Sequence, residues 1–320
     1  MTRLSLLITC PLPDEVQEAF ASRHDVVACP LHGTPDPLEL RQALDGRNVL
    51  VTSVGMRLNA EAIASFPTDM RVIATYSVGH EHIDLMAAKA RNIAVLNTPD
   101  VLTDSVADAA MLLLLGAARR ATESIALVRS GRWTGWTARQ LNGIELSGKN
   151  IGILGMGRIG RAISARCRAF GMHVHYHNRT RLPPTIELDA VFHSSPESML
   201  AEADVLVLAC PLTPQTFRFL NAETIARLRA GAIVINVARG DLVHDDALIA
   251  ALSSGRIRAA GLDVFAGEPN LDVRYLDLPN AFLLPHIGSS TNESRMRMAD
   301  ALIAGLEDWS RGGQPHNRIA

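Results

Sequence analysis

Ile151-Gly152-Ile153-Leu154-Gly155-Met156-Gly157-Arg158-Ile159-Gly160 joins a short apolar run to three glycines spaced G-x-G-x-x-G. The run Asn150–Leu154 reads as a buried strand and Arg161 to Phe170 as an amphipathic helix, so the glycines fall where a strand turns into a helix. Each glycine then has its own physical task. Gly155 allows the tight turn, Gly157 lets backbone approach a pyrophosphate, and Gly160 lets the helix pack on the strand. Phosphates would meet unbonded N–H groups and the positive end of a helix dipole there. The glycine pattern alone recurs by chance; the strand–glycine–helix order makes it specific.

The residues after the next strand bear on which dinucleotide fits. A ribose with a free 2′-hydroxyl is usually met by a carboxylate about 20 residues beyond the glycines, and a 2′-phosphate by an arginine. Here that place holds Asn178-Arg179-Thr180-Arg181. No carboxylate stands at the strand end, and guanidinium forks suit a phosphate dianion. The expected cofactor is NADP, with NADPH preferred over NADH.

Working outward, strands alternate with helical stretches on both sides of this motif. After it come His173–His177, Val205–Ala209, Ile233–Val237, Ala259–Asp263 and Phe282–Leu284 as strand candidates. Before it lie Ser5–Thr9, Val26–Ala28, Val49–Thr52, Val72–Thr75 and Ala94–Leu96, with helices over Asp14–Ser22, Pro37–Leu44 and Asn59–Ser65. Such alternation implies right-handed βαβ units. The predicted fold class is α/β, with two doubly wound parallel-sheet (Rossmann-like) domains. The breaker cluster Asn97-Thr98-Pro99-Asp100 precedes a long apolar-periodic helix from about Leu102 through Ala121, and a domain boundary is placed there.

Composition narrows the function classes. The chain has 320 residues, enough for two domains. A net charge of −2 and 4% aromatics speak against a nucleic-acid partner. The longest apolar segment, Ala109 to Ala118, is about half the roughly 20 residues a membrane span needs. Four cysteines, Cys10, Cys29, Cys167 and Cys210, lack a C-x-x-C pair, so neither a disulfide framework nor a metal site is expected. With no signal-peptide pattern at the start, the expected compartment is the cytoplasm. Trp133 and Trp136 sit in the glycine-bearing segment Gly131-Arg132-Trp133-Thr134-Gly135-Trp136. That loop reads either as a local hydrophobic staple or as a subunit-interface or substrate-pocket loop.

Three further segments follow strand candidates, where open parallel sheets bind ligands. They are Asn236-Val237-Ala238-Arg239-Gly240-Asp241, Asp263-Val264-Phe265-Ala266-Gly267-Glu268-Pro269 and Pro285-His286-Ile287-Gly288-Ser289. Taken singly, Arg239 is a strand-end arginine beside a glycine and Glu268 a loop carboxylate. His286 is one of eleven histidines but the one beside such a strand end, and its side-chain type titrates near neutrality.

With Ser77-Val78-Gly79, Asn97 to Thr103, the glycine turn and Cys210-Pro211-Leu212-Thr213, these segments resemble the D-isomer-specific 2-hydroxyacid dehydrogenase family over nearly the whole chain. The run Thr98 to Asp104 and the tryptophan loop look like its glyoxylate/hydroxypyruvate reductase branch. The resemblance implies a catalytic set of Arg239, Glu268 and His286, with His286 as proton donor and Glu268 on its other ring nitrogen. It implies that Val78 and Gly79 N–H groups, with Arg239 and His286, bind the substrate. It implies cofactor contacts at Thr103, Gly155, Gly157, Arg158, Ile159, Gly160, Asn178, Arg179, Thr180, Arg181, Pro211, Thr216, Val237, Asp263 and Gly288.

The same resemblance implies that a helix near Thr291 to Arg311 completes the first domain. The expected division is a discontinuous substrate-binding (catalytic) domain, 1–98 plus 289–320, and a dinucleotide-binding domain, 99–288, with the active site in an interdomain cleft. The expected protein is an oxidoreductase that acts as a homodimer on a small 2-keto acid, glyoxylate or hydroxypyruvate. A 2-ketogluconate-type reductase is the near alternative, with Val54 to Arg57 and the tryptophan loop deciding. A dinucleotide-sensing, corepressor-like binding protein is the alternative of another class.

Overall fold

The computed structural model describes residues 3–320 and divides into two compact units. The first runs to Leu102 and resumes at Ser290–Ala320; the second is Thr103–Ser289.

In the first unit, β1 (Ser5–Ile8), α1 (Asp14–Arg23), β2 (Asp25–Ala28), α2 (Pro37–Ala43), β3 (Val49–Thr52), α3 (Ala60–Ala64), β4 (Val72–Thr75), α4 (Leu85–Ala90) and β5 (Ala94–Leu96) follow in turn. All strand pairs are parallel, in the order β2-β1-β3-β4-β5. The central strands β3 and β4 are buried along their whole length, as strands covered by helices on both faces must be. Leu7, Leu50, Ile73 and Val95 pack with Leu40, Ile63 and Ala88 to form one core. Asp36, Asn59 and Asp84 cap α2, α3 and α4, their carboxylate or amide oxygens accepting first-turn N–H groups.

The second unit opens with α5 (Thr103–Ala118) and α6 (Ala121–Arg129). The sheet unit proper is β6 (Asn150–Leu154), α7 (Arg158–Ala169), β7 (His173–His177), α8 (Pro184–Glu187), β8 (Val191–His193), α9 (Pro196–Glu202) and β9 (Val205–Leu208). It continues with α10 (Ala222–Arg227), β10 (Ala232–Asn236), α11 (Asp245–Ser253), β11 (Ile257–Leu262) and β12 (Ala281–Leu283). The seven strands are parallel, ordered β12-β11-β10-β9-β6-β7-β8. The chain runs outward from β6 to β8 and returns to β9 beside β6. That reversal is the topological switch point, where such sheets open a crevice for a ligand. The last helix, α12 (Asn292–Ser310), belongs to the first unit and is capped by the Thr291 hydroxyl, which accepts from Ser294 N.

The helix predicted from Leu102 through Ala121 is α5, which stops three residues short of the predicted end, and α6 begins at Ala121. α5 ends at Ala118, whose carbonyl accepts from Ile144 N at 3.0 Å, and Arg120 adopts φ 54°, outside the helical region. Thr122 Oγ1 then ties α6 to the Ala281 carbonyl. The helix predicted from Arg161 starts earlier, at Arg158. The sequence reading had no counterpart for β8, a three-residue edge strand whose residues stay partly or fully exposed. The tryptophan loop is not a local staple. Trp133 and Trp136 are 54% and 83% exposed. None of the four cysteines is bonded, and among the described residues no group of side chains is arranged to hold a metal and no helix is long and apolar enough to cross a membrane.

Candidate active site

Because the second sheet is parallel, the C-terminal ends of all its strands lie along one edge. The strand order therefore fixes the order of the loops that follow: His286 after β12, Asp263 and Glu268 after β11, Arg239 after β10, Pro211 after β9, Gly155 after β6 and Asn178 after β7.

At one end of this row a histidine and a carboxylate pair directly. His286 Nδ1 donates to Glu268 Oε2 at 2.6 Å, and Glu268 Oε1 accepts from Phe265 N at 2.7 Å. The ring is thereby held in one orientation with Nε2 left for chemistry. Burial by itself would raise the Glu268 carboxyl. The hydrogen bond and charge of His286, the Phe265 N–H and the nearby Arg239 guanidinium outweigh it and hold the group below the ordinary glutamate value. Glu268 is thus ionised at neutral pH, and Arg239 lies close enough to act on it.

The backbone that presents these groups is held by buried polar side chains. His286 has φ 56°, a left-handed conformation that costs a non-glycine residue about 1–2 kcal/mol. Asp263, 2% exposed, accepts from Ile287 N and Gly288 N at 2.7 Å each and so fixes the turn just past the histidine. Burial raises the Asp263 carboxyl above its usual value, against the opposing pull of those two N–H groups. Asn236, wholly buried at the end of β10, does the same for the Arg239 loop. Its amide donates to Arg239 O at 2.9 Å and its carbonyl accepts from Ala238 N at 3.0 Å. The sequence reading missed Asn236; a lone amide inside the apolar strand Ile233-Val234-Ile235-Asn236-Val237 was the available signal.

Gly240 adds a steric constraint. A Cβ built there would overlap the backbone of Phe265 and Ala266, so the Arg239 turn and the Glu268 loop touch backbone to backbone. Only glycine permits that approach.

At the switch point the three glycines differ as their tasks require. Gly155 has φ 100° and its would-be Cβ meets Ala209 and Cys210 at 2.7 Å, so it seals the turn against the loop after β9. Gly160 sits under the Gly155 carbonyl and packs α7 against the turn. A Cβ on Gly157 would meet nothing within 4 Å, which leaves an open cradle at the N-terminus of α7. Arg158 and Ile159 form the first turn of that helix, where N–H groups lack intrahelical acceptors. Asn178 Oδ1 accepts from Met156 N at 2.7 Å, anchoring the turn to the end of β7. Thr216 closes the loop after β9 through Pro211 O, and Val237 opens the loop after β10. Thr103 begins α5.

The two arginines after β7 differ. Arg181 donates Nε and Nη2 to Glu187, whose buried carboxylate also accepts from Tyr176 Oη at 2.7 Å. Arg179 and Thr180 are exposed, and Arg179 makes no ion pair or hydrogen bond among the described residues.

In the first unit, the loop after β4 holds its carbonyls and leaves its amides open. Ser77 Oγ donates to Gly79 O at 2.7 Å and Asn97 Nδ2 donates to Val78 O at 2.9 Å. The Val78 and Gly79 N–H groups donate to nothing among the described residues.

Comparison with known proteins agrees with this arrangement. A family model described as D-isomer specific 2-hydroxyacid dehydrogenase, NAD binding domain, matches residues 111–288. A glycerate dehydrogenase of Hyphomicrobium methylovorum is 40% identical over 319 residues, covering 96% of this chain and 98% of its own. A glyoxylate reductase of Thermococcus kodakarensis is 39% identical, covering 98% and 95%. Among solved structures, an NADPH-dependent glyoxylate/hydroxypyruvate reductase of Sinorhizobium meliloti, in complex with NADP and malonate, has a TM-score of 0.89 at 33% identity, covering 100% of this chain and 97% of its own. A glycine cradle at the switch point, a histidine–glutamate pair with an arginine beside it and these relatives converge on one conclusion: the chain belongs to the D-isomer specific 2-hydroxyacid dehydrogenases, NAD(P)-dependent oxidoreductases.

Proposed function

We propose that the protein reduces a small 2-keto acid, glyoxylate or hydroxypyruvate, to the D-2-hydroxy acid, with NADPH preferred over NADH. The observation that carries this reading is the His286–Glu268 pair at 2.6 Å beside Arg239. Residues 99–288 serve the dinucleotide, and 1–98 with 289–320 serve the substrate.

The open cradle at Gly157 fits a pyrophosphate, with Gly155, Arg158, Ile159 and Gly160 around it. Asn178, Arg179, Thr180 and Arg181 face the adenosine end, Arg179 carrying most of the affinity for a 2′-phosphate because Glu187 occupies Arg181. Thr103, Pro211, Thr216, Val237, Asp263 and Gly288 line the remainder, Asp263 by holding the Ile287–Gly288 turn. When bound, the nicotinamide supplies the hydride.

Every other step belongs to the chain. The Val78 and Gly79 N–H groups take one side of the substrate carboxylate. Arg239 spans the carboxylate and the ketone oxygen with charge-assisted hydrogen bonds and draws electron density from the carbonyl. His286 Nε2 donates a proton to that oxygen as the C=O bond becomes C–O–H, and Glu268 stabilises the imidazolium that must stand ready. In the oxidative direction His286 takes the proton back.

We also propose a cytoplasmic homodimer. Its four unbonded cysteines suit a reducing compartment, and the exposed Trp133–Trp136 loop follows α6, a helix with no buried residue. Sedimentation at micromolar concentration should give twice the chain mass; a monomer removes the dimer.

Initial rates with NADPH or NADH against glyoxylate, hydroxypyruvate, pyruvate and 2-ketogluconate test the reaction. Fast reduction of the first two with a lower KM for NADPH is expected. Turnover confined to 2-ketogluconate assigns the alternative substrate, and tight dinucleotide binding without turnover of any keto acid assigns a sensor.

A further inference from the structure

Arg179, on which the choice of NADPH over NADH is expected to rest, stands exposed with Thr180 on the short loop between β7 and α8. Exposed side chains on a free loop recognise a phosphate poorly, because ordering them on binding costs entropy. This loop is held at both feet. At its start, His177 O accepts from Gly155 N at 3.1 Å and Asn178 Oδ1 accepts from Met156 N at 2.7 Å, which ties it to the glycine turn. At its far end, Leu182 N donates to Tyr176 Oη at 3.0 Å.

The Tyr176 contact has a fixed polarity. A backbone N–H can only donate, so the phenol oxygen accepts from Leu182, and its own hydrogen goes to Glu187 Oε1 at 2.7 Å. Tyr176 is wholly buried in β7, with its ring centroid 5.4 Å from that of Phe192 in β8. Glu187 is buried too, and its backbone carbonyl accepts from Arg168 Nη2 at 3.2 Å, so the partner of the phenol is itself anchored to α7. One hydroxyl thus joins β7, the end of the loop and the end of α8. Glu187 also engages Arg181, whereas Arg179 makes no ion pair or hydrogen bond among the described residues. The backbone of the arch is fixed and the cation on its crown is unspent.

We propose that the Tyr176 hydroxyl is a positioning group for cofactor choice: by holding Leu182 N it fixes the arch that presents Arg179 to a 2′-phosphate. Wholly buried, Tyr176 offers a dinucleotide no surface and acts through Arg179. This rests on the NADPH reading above and concerns the second unit alone.

Tyr176→Phe removes one oxygen atom and keeps the ring. Dissociation constants for NADPH and NADH, taken by fluorescence titration without any keto acid, give the readout. The preference for NADPH should narrow roughly two- to tenfold, the range of one neutral hydrogen bond, with NADH affinity little changed. In an Arg179→Ala background the same substitution should leave the ratio unaltered, because the arch has then lost the group it serves. Equal weakening of both dinucleotides, an unchanged ratio, or the same narrowing with and without Arg179 overturns the proposal and leaves the NADPH reading intact. Hydrogen exchange on the unmodified chain supplies a test that needs no variant. The Leu182 amide should exchange slowly before any dinucleotide is added; fast exchange that only NADPH slows overturns the fixed arch. An unmodified chain that binds NADPH no better than NADH removes both readings.

Discussion

Replacing Gly240 with alanine perturbs the site without removing any group that does chemistry. The added Cβ overlaps Phe265 C, Phe265 O and Ala266 N. To restore an ordinary contact, the Arg239 turn and the Glu268 loop must part by on the order of 1.5 Å. Neither side yields cheaply. The neighbouring atoms are backbone, Asn236 clamps the Arg239 carbonyl, and Phe265 N is already bonded to Glu268. A misplacement of about 1 Å costs roughly a hundredfold when geometry is set for a transition state. In Gly240→Ala, kcat/KM for hydroxypyruvate should fall by about that factor or more. NADPH affinity, measured by fluorescence titration, should stay near normal, because the glycine cradle follows β6, two strands from β10 and three from β11. A kcat/KM within a factor of three of the parent would refute the claim that this approach sets the spacing of Arg239 from Glu268.

Further outcomes follow from the same geometry. Arg179→Ala should raise the KM for NADPH about ten- to a hundredfold and that for NADH little, as expected for loss of one charge-assisted bond to a phosphate. Arg181→Ala should do much less, because Glu187 holds that guanidinium; equal effects of Arg179→Ala on both dinucleotides would return the loop to a solvated surface. Acid should weaken the fold through His24. Burial, together with Arg23 and Arg3 and against Glu307, lowers its folded value below the usual 6.5. Its contribution is therefore full above about pH 6.5 and is lost as the pH falls from there toward the depressed folded value. His175 and His193 shift in the same direction and add to the trend. The drop in thermal midpoint from pH 7 to pH 5 should be smaller in His24→Phe; an identical drop would clear His24 of this role.

Much of this arrangement is readable along the chain, because parallel sheets announce themselves. β3, β4, β5, β6 and β7 fall on the residues their apolar runs predict, and the glycine turn gives the helix start within three residues. Arg239, Glu268 and His286 each follow a strand, so topology alone draws their loops to one edge. What stays hidden depends on contacts between distant residues. Asp263 meets the Ile287 and Gly288 amides across more than twenty residues, and the Gly240 backbone meets that of Phe265. Arg181 reads as a free cation until Glu187 folds back on it from the next helical turn. The break at Arg120 has no glycine or proline to mark it; a carbonyl captured by Ile144, far along the chain, ends the helix instead. β8 escapes notice because an exposed edge strand of three residues carries no apolar pattern.

The most direct measurement is the turnover of His286→Ala with hydroxypyruvate and saturating NADPH, followed from pH 5.5 to 8.5 with the dinucleotide dissociation constant taken on the same sample. Loss of at least about a hundredfold in kcat at every pH, the scale of general acid catalysis, with dinucleotide affinity preserved, is the predicted result. Substantial turnover by the folded, dinucleotide-binding variant would contradict it and take the proton from another donor.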